Sequence, residues 1–194
     1  ARDFDRVEFP AAHQRAGGLG QALFLTLTSK PEDTAPTGRG LFVREQFLCQ
    51  QVPPPPPGAA ANLPVLSEAK PVTNRERLAS HTVNKSCASC HGLIDPIGFA
   101  LENFDAIGVR RDKFRILFYP DEHEAKKPSK EVFLDLDTSG EIAGVPESRF
   151  DGPRQLGELL ARTRQCQECV VKQAFRYMSG RHDLRSDAAL IGRV

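Results

Sequence analysis

The sequence predicts a mainly α fold carrying one small β-hairpin. Apolar residues recur at helical spacing behind capping residues: Ile97, Ala100, Leu101 and Phe104 follow Asp95-Pro96, and Leu156, Leu159 and Leu160 follow Asp151. The hairpin is predicted by two runs, Phe114 to Tyr119 and Val132 to Leu136, rich in aromatic and aliphatic residues. The charged stretch Asp121 to Lys130 separates them as an exposed loop. The 194 residues suit one domain, or one core with a small annex. Three segments are expected: an N-terminal helical segment over 1–52 packing on the core, a proline-rich strap over 53–72, and the main domain over 73–194 with the hairpin inserted at about 113–137.

Composition narrows the function classes. The hydrophobic share of 40% supports a packed core, and the charged share of 26% is that of an ordinary soluble protein. The net charge is +1 and Lys and Arg form no dense run, so neither nucleic acid nor an acidic membrane surface is indicated as a partner. Uninterrupted apolar stretches reach only a few residues, which predicts no membrane span.

Taken in order, Phe4, Val7 and Phe9 interleave with charge and suggest a short strand. Gly17-Gly18 breaks the chain, Ala22 to Leu27 suits helix or strand, and Pro31 and Pro36 bracket a polar loop. Thr37 to Gln50 reads as a helix capped by Thr37, with Leu41, Phe42, Leu48 and Cys49 on one inward face. Pro53 to Pro57 imposes polyproline II, about 15 Å at roughly 3.1 Å per residue, read as a stiff strap rather than a ligand for a proline-binding domain. Thr73-Asn74-Arg75-Glu76 is a capping box that opens a short helix towards His81. Asp95 then caps a helix with Pro96 in its first turn, and Gly108 closes it. Asp135 to Glu141 only faintly matches a calcium loop and reads as a solvated turn. In the last helical region Val171, Ala174, Phe175 and Met178 form a second stripe, ended by Gly180.

The chemistry centres on Cys87-Ala88-Ser89-Cys90-His91, the c-type haem attachment signature. Thiols at i and i+3 of one helical turn point to the same side and can each add to one of two neighbouring vinyl groups. The adjacent imidazole then sits below the ring as an iron ligand. With five Cys and five His in the chain, such a match arises by chance only roughly 0.003 times. The motif therefore predicts one covalent haem c on Cys87 and Cys90 with His91 as proximal ligand, and makes the expected fold a cytochrome c-like helical haem domain. Such haem is attached outside the cytoplasm, whereas the charged start Ala1-Arg2-Asp3-Phe4-Asp5 is no signal peptide. The expectation is that a leader was removed or that the chain is a piece of a longer one.

For the sixth iron ligand two candidates stand. Met178, the one methionine, lies C-terminal to the motif on a helix, and His81 precedes Cys87 by six residues. Thioether ligation raises the potential, and a second histidine would lower it. The competing role for Met178 is core filling, and for His81 that of a polar group at a helix end or near a propionate. His91 needs an acceptor on its other ring nitrogen, for which backbone carbonyls near Asp95-Pro96 are candidates. Arg110 and Arg111 are candidate propionate partners. Asp95, Glu102 and Asp105 read as caps and surface groups. His13, His123 and His182 read as solvated. No Ser-His-Asp set or paired-carboxylate site emerges from spacing. A second pair, Cys166 and Cys169, repeats the Cys-x-x-Cys spacing without a following histidine. It suits a redox dithiol, or a zinc site shared with Cys87 and Cys90, which would leave His91 unexplained.

The block from Cys87 to Arg111, CASCHGLIDPIGFALENFDAIGVRR, resembles the C-terminal cytochrome region of planctomycete-type cytochrome c proteins, which are large, multidomain and mostly of unknown function. The likeness extends to Arg15-Ala16-Gly17, Arg39-Gly40-Leu41, Leu48-Cys49 with the following prolines, Arg75-Glu76-Arg77-Leu78 with His81, Phe150-Asp151-Gly152, Cys169-Val170-Val171-Lys172-Gln173 and Gly180-Arg181. The insert from Lys113 to Glu131 is longer than the family pattern. The resemblance implies a periplasmic or extracellular haem module within a longer polypeptide and supplies no reaction. It also adds a third option for the cysteines, a Cys49–Cys169 disulfide, both positions being matched in the family.

The expected function is electron transfer to a redox partner protein or to neighbouring domains of a longer chain. The alternatives are a peroxidase-like haem enzyme with an open sixth site, and a haem-stapled interaction module of a polysaccharide-processing protein.

Overall fold

The structure, a computed structural model, describes residues 8, 10, 15, 17–31, 33–55, 65–79, 81–119 and 127–192, and of His81 the backbone alone. In chain order its elements are α1 (Ala22–Leu27), α2 (Pro36–Phe47), α3 (Asn74–Ala79), α4 (Lys85–Phe99), β1 (Lys113–Phe118), β2 (Lys130–Asp135), β3 (Ser139–Glu141), β4 (Arg149–Asp151), α5 (Gly152–Arg162), α6 (Arg164–Ser179) and α7 (Ala188–Ile191). The fold is mainly α with a small antiparallel hairpin, as expected. The suggested strand at Phe4, Val7 and Phe9 lies outside the described residues, as do Pro56 and Pro57 of the strap.

At the centre α2 crosses α4 on bare backbone. A methyl group at Gly40 would overlap the Ile94 carbonyl, and one at Gly98 would overlap the Pro36 carbonyl, so only glycine permits this approach. Around the crossing, Leu25, Val43, Ile97, Leu101, Phe104, Ile142 and Leu156 are buried in one core. Each such side chain contributes roughly 1.5–3 kcal/mol when removed from water.

The inward face of α2 differs from the expected one. Its buried residues are Pro36, Arg39, Gly40, Val43 and Arg44, with Leu48 just beyond, while Phe42 is 38% exposed. Arg39 is wholly buried and donates to the carbonyls of Leu101 (2.8 Å), Phe104 (2.7 Å) and Asp105 (2.6 Å). It ties together the carbonyls of the turn that follows α4, adding a second donor to those of Leu101 and Asp105, which also accept the backbone N–H of Phe104 and Gly108. Arg44 donates to Leu93 O (3.2 Å) and Ala143 O (3.0 Å), fastening α4 to the β3–β4 connection. Thr37 does not cap α2: Ala35 holds the N-cap position, and the Thr37 hydroxyl instead reaches Asp95.

Asp95 does not start a helix either. α4 runs unbroken from Lys85, with Pro96 inside it. The proline removes the N–H that would bond the Gly92 carbonyl, and Gly92 is exposed, so that carbonyl is within reach of solvent. The capping box at α3 forms as expected: Thr73 N donates to Glu76 Oε2 (2.7 Å) and Glu76 N to Thr73 Oγ1 (3.3 Å).

β1 and β2 pair antiparallel from Lys113↔Asp135 to Phe118↔Lys130. Phe114 and Ile116 turn inward, while Arg115 pairs with Glu131 outside. A second small sheet was not expected. Part of the segment read as a solvated turn is β3, paired antiparallel with β4 from Ser139↔Asp151 to Glu141↔Arg149. Three-residue strands carry too little alternation to register in sequence.

Leu156 and Leu160 bury the inner side of α5 as expected. The stripe expected on α6 does not: its buried residues are Cys166 and Cys169, near its start, where Cys169 forms a disulfide with Cys49. Gly180 ends the helix at φ 65°, as predicted. No helix among the described residues is long and apolar enough to cross a membrane.

Candidate functional site

α4 builds the site. Asn84 caps it by accepting from Ser86 N (3.0 Å), so the Cys-x-x-Cys-His stretch lies wholly within regular helix. Helical spacing then puts Cys87, Cys90, His91 and Ile94 on one stripe, and all four line a single cavity of about 1890 Å³. Its floor is apolar, with Leu78, Ile94, Phe114 and Ile116 each buried. Val52 lines it too, as do Pro53 to Pro55 and Leu66 of the strap and most of β1 of the hairpin. Neither Cys87 nor Cys90 is in a disulfide.

His91 is oriented from below. Its Nδ1 lies 2.8 Å from Asp95 Oδ2, one helical turn on. Asp95 is only 3% exposed, and its Oδ1 accepts the Thr37 hydroxyl at 2.8 Å. The acceptor is thus a carboxylate and not one of the backbone carbonyls suggested by spacing. With Nδ1 engaged, Nε2 is the ring nitrogen suited to bind iron. Two thiols, one oriented imidazole and a cavity with buried apolar residues in its lining and charged residues around them fit the residue requirements of a covalent c-type haem.

The other expected residues are placed less uniformly. Met178 sits near the C-terminal end of α6, is 78% exposed and does not line the cavity. The His81 side chain lies outside what the structure describes. His182 is exposed, and His13 and His123 lie outside the described residues. Arg110 and Arg111 both line the cavity, yet each already has a protein partner: Asp112 at 2.6 Å and Glu102 at 3.2 Å.

Glu102 is not the surface group that spacing suggests. It is 3% exposed, and its Oε2 accepts from Thr34 (2.9 Å) and Asn74 (3.4 Å) as well as Arg111. Arg39 approaches its other oxygen at 3.7 Å. Burial pushes the Glu102 carboxyl above the usual range against the pull of Arg111 and Arg39, and burial lowers Arg39 to about 10 despite Glu102. Asp105 does act as a local cap, accepting from Ile107 N (3.0 Å) and Val109 N (2.8 Å). No signal in the sequence distinguishes Glu102 from Asp105, because both follow the same helix and stand among similar apolar and neutral neighbours.

Cys166 is 5% exposed, and burial raises its thiol. Bonding of Cys169 to Cys49 removes it from both the dithiol and the zinc alternatives. Among the described residues no cluster of three or more His, Cys, Asp or Glu side chains stands ready for a metal ion.

Fold and site together define a class: a mainly α domain that turns a Cys-x-x-Cys-His helix towards a large, apolar-floored cavity. The chain belongs to the PSCyt3 family, described as a protein of unknown function (DUF1588), whose model matches residues 15–114. That span covers just over half of the chain and takes in α1 to α4 with the whole motif. The family name is in keeping with a cytochrome-like domain. No curated protein and no solved structure matches the chain.

Proposed function

We propose that this chain is a c-type cytochrome module that carries one covalent haem for electron transfer outside the cytoplasm. The observation that carries the reading is the shared orientation of Cys87, Cys90 and His91 towards one cavity, with His91 held by Asp95. Cys87 and Cys90 would hold the haem through thioether bonds, and His91 would bind its iron through Nε2. The haem, when bound, takes up and releases one electron. Leu78, Ile94, Phe114 and Ile116 keep water from one side of it. The Cys49–Cys169 disulfide supports a periplasmic or extracellular setting, where such bonds persist. The family match supports a place in the cytochrome region of planctomycete-type cytochrome c proteins, serving neighbouring domains or a redox partner.

The test is a pyridine haemochrome spectrum of protein made in a host that matures c-type cytochromes. Covalent haem at one per chain is the expected result, and its absence overturns the reading.

One observation favours a second reading, a peroxidase-like site with an open sixth position: Met178 lies away from the cavity. A low-spin spectrum that added carbon monoxide or peroxide leaves unchanged would sink it. Replacing His81 would then show whether that residue closes the iron.

A further inference from the structure

We infer that Asp95 is a positioning residue that sets the donor strength of His91 and so holds the potential of the site low. The inference rests on the reading of His91 as the proximal ligand.

Asp95 occupies a place that secondary structure does not explain. It is the eleventh of 15 residues in α4, far from the helix start, and caps nothing. A carboxylate that is 3% exposed in the middle of a helix forfeits most of its hydration, which must be offset by fixed donors. Its two oxygens face two of them: His91 Nδ1 at 2.8 Å and the Thr37 hydroxyl at 2.8 Å. Helical spacing of i and i+4 brings the first. The second depends on the crossing at Gly40 and Gly98, which lets α2 approach closely enough for Thr37 to reach across.

The chemical consequence follows from charge. Accepting the Nδ1 proton fixes the tautomer and the ring plane. A carboxylate draws on that proton harder than a neutral carbonyl does, so the imidazole gains anionic character and donates more strongly through Nε2. Stronger donation favours ferric over ferrous iron and lowers the potential. Thr37 moderates the effect, since its hydroxyl takes up part of the carboxylate's charge.

The experiment uses the haem-loaded full chain and spectroelectrochemical titration, with haem content measured by pyridine haemochrome. Asp95→Asn keeps the size and a neutral acceptor, and is expected to raise the potential by about a tenfold change in the ferric-to-ferrous ratio, 59 mV for one electron. Asp95→Glu should return the potential towards that of the unchanged protein. Thr37→Val, which relieves the carboxylate of one donor, should lower it by a smaller amount. A haem-loaded Asp95→Asn protein with an unchanged potential overturns the inference. Should that variant load too little haem to titrate, Thr37→Val decides, and a potential that fails to fall counts against Asp95. Absence of covalent haem from the unchanged protein is a separate outcome: it sinks the parent reading, and this one with it.

Discussion

The chain carries the same Cys-x-x-Cys spacing twice, on two helices that are both fastened to the α2 segment, and the two pairs meet different fates. Cys87 and Cys90 sit on α4, half-buried, with a histidine next to them and a cavity in front of them. Cys166 and Cys169 sit at the start of α6, buried, with a valine next and the end of α2 in front. α4 is held to α2 by a glycine crossing and a threonine–aspartate hydrogen bond. α6 is held to the residue just beyond α2 by a disulfide. Spacing of i and i+3 therefore does one thing only, which is to aim two thiols the same way. What they face differs: Cys87 and Cys90 line the cavity, whereas Cys169 staples α6 to Cys49 and Cys166 stays a buried thiol.

That contrast can be broken at either pair. The largest effect is expected from replacing Cys87 and Cys90 together by Ser. Covalent haem should vanish from the pyridine haemochrome assay while the Cys49–Cys169 bond stays intact by mass spectrometry; retained covalent haem would mean that the anchors lie elsewhere. Replacing Cys49 and Cys169 together by Ser should do the converse. Stability measured by urea unfolding should fall by about 2–5 kcal/mol, as expected for a bond that closes a 120-residue separation, with haem still attached. A midpoint that does not move would make the bond ornamental. Gly40→Ala tests the other fastening. The added methyl has backbone in its way, so a loss of about 1–3 kcal/mol is expected, and an unchanged urea midpoint would show that α2 can shift without cost.

The smallest effect is a count of thiols. Five cysteines, less two in the disulfide and two in the proposed thioethers, leave one. Alkylation of haem-loaded protein in denaturant without reductant should therefore add a single label, on Cys166. The folded protein should resist labelling there at pH 8, because the thiol is buried and burial raises it. Two further labels, on Cys87 and Cys90, would show that no thioether had formed.

Much of this was legible in the sequence where local rules act alone. The motif, the capping box at Thr73, the hairpin and the stop at Gly180 are each written in a few neighbouring residues. Legibility failed where tertiary contacts redirected a local signal. Asp95-Pro96 has the form of a helix start, yet its carboxylate is claimed by His91 and Thr37, so the helix runs through it. The inner face of α2 carries two arginines that donate to carbonyls of α4, of its following turn and of the β3–β4 connection, and arginine at a core position weakens the hydrophobic pattern. Glu102 and Met178 depart from their expected burial in opposite directions. The glutamate is buried among Thr34, Asn74 and Arg111, whereas the methionine sits on a stretch of α6 beyond its contact with α2.

The disulfide has a topological consequence. Residues 49 to 169 form one covalent ring, and that ring contains the strap, the Cys-x-x-Cys-His helix, both small sheets and α5. A single peptide cut anywhere inside it opens the ring but releases nothing. A protease acting on the folded protein would thus produce a nicked molecule that runs as two pieces only after reduction, with the cavity-lining helix still joined through its own piece to one side of the disulfide.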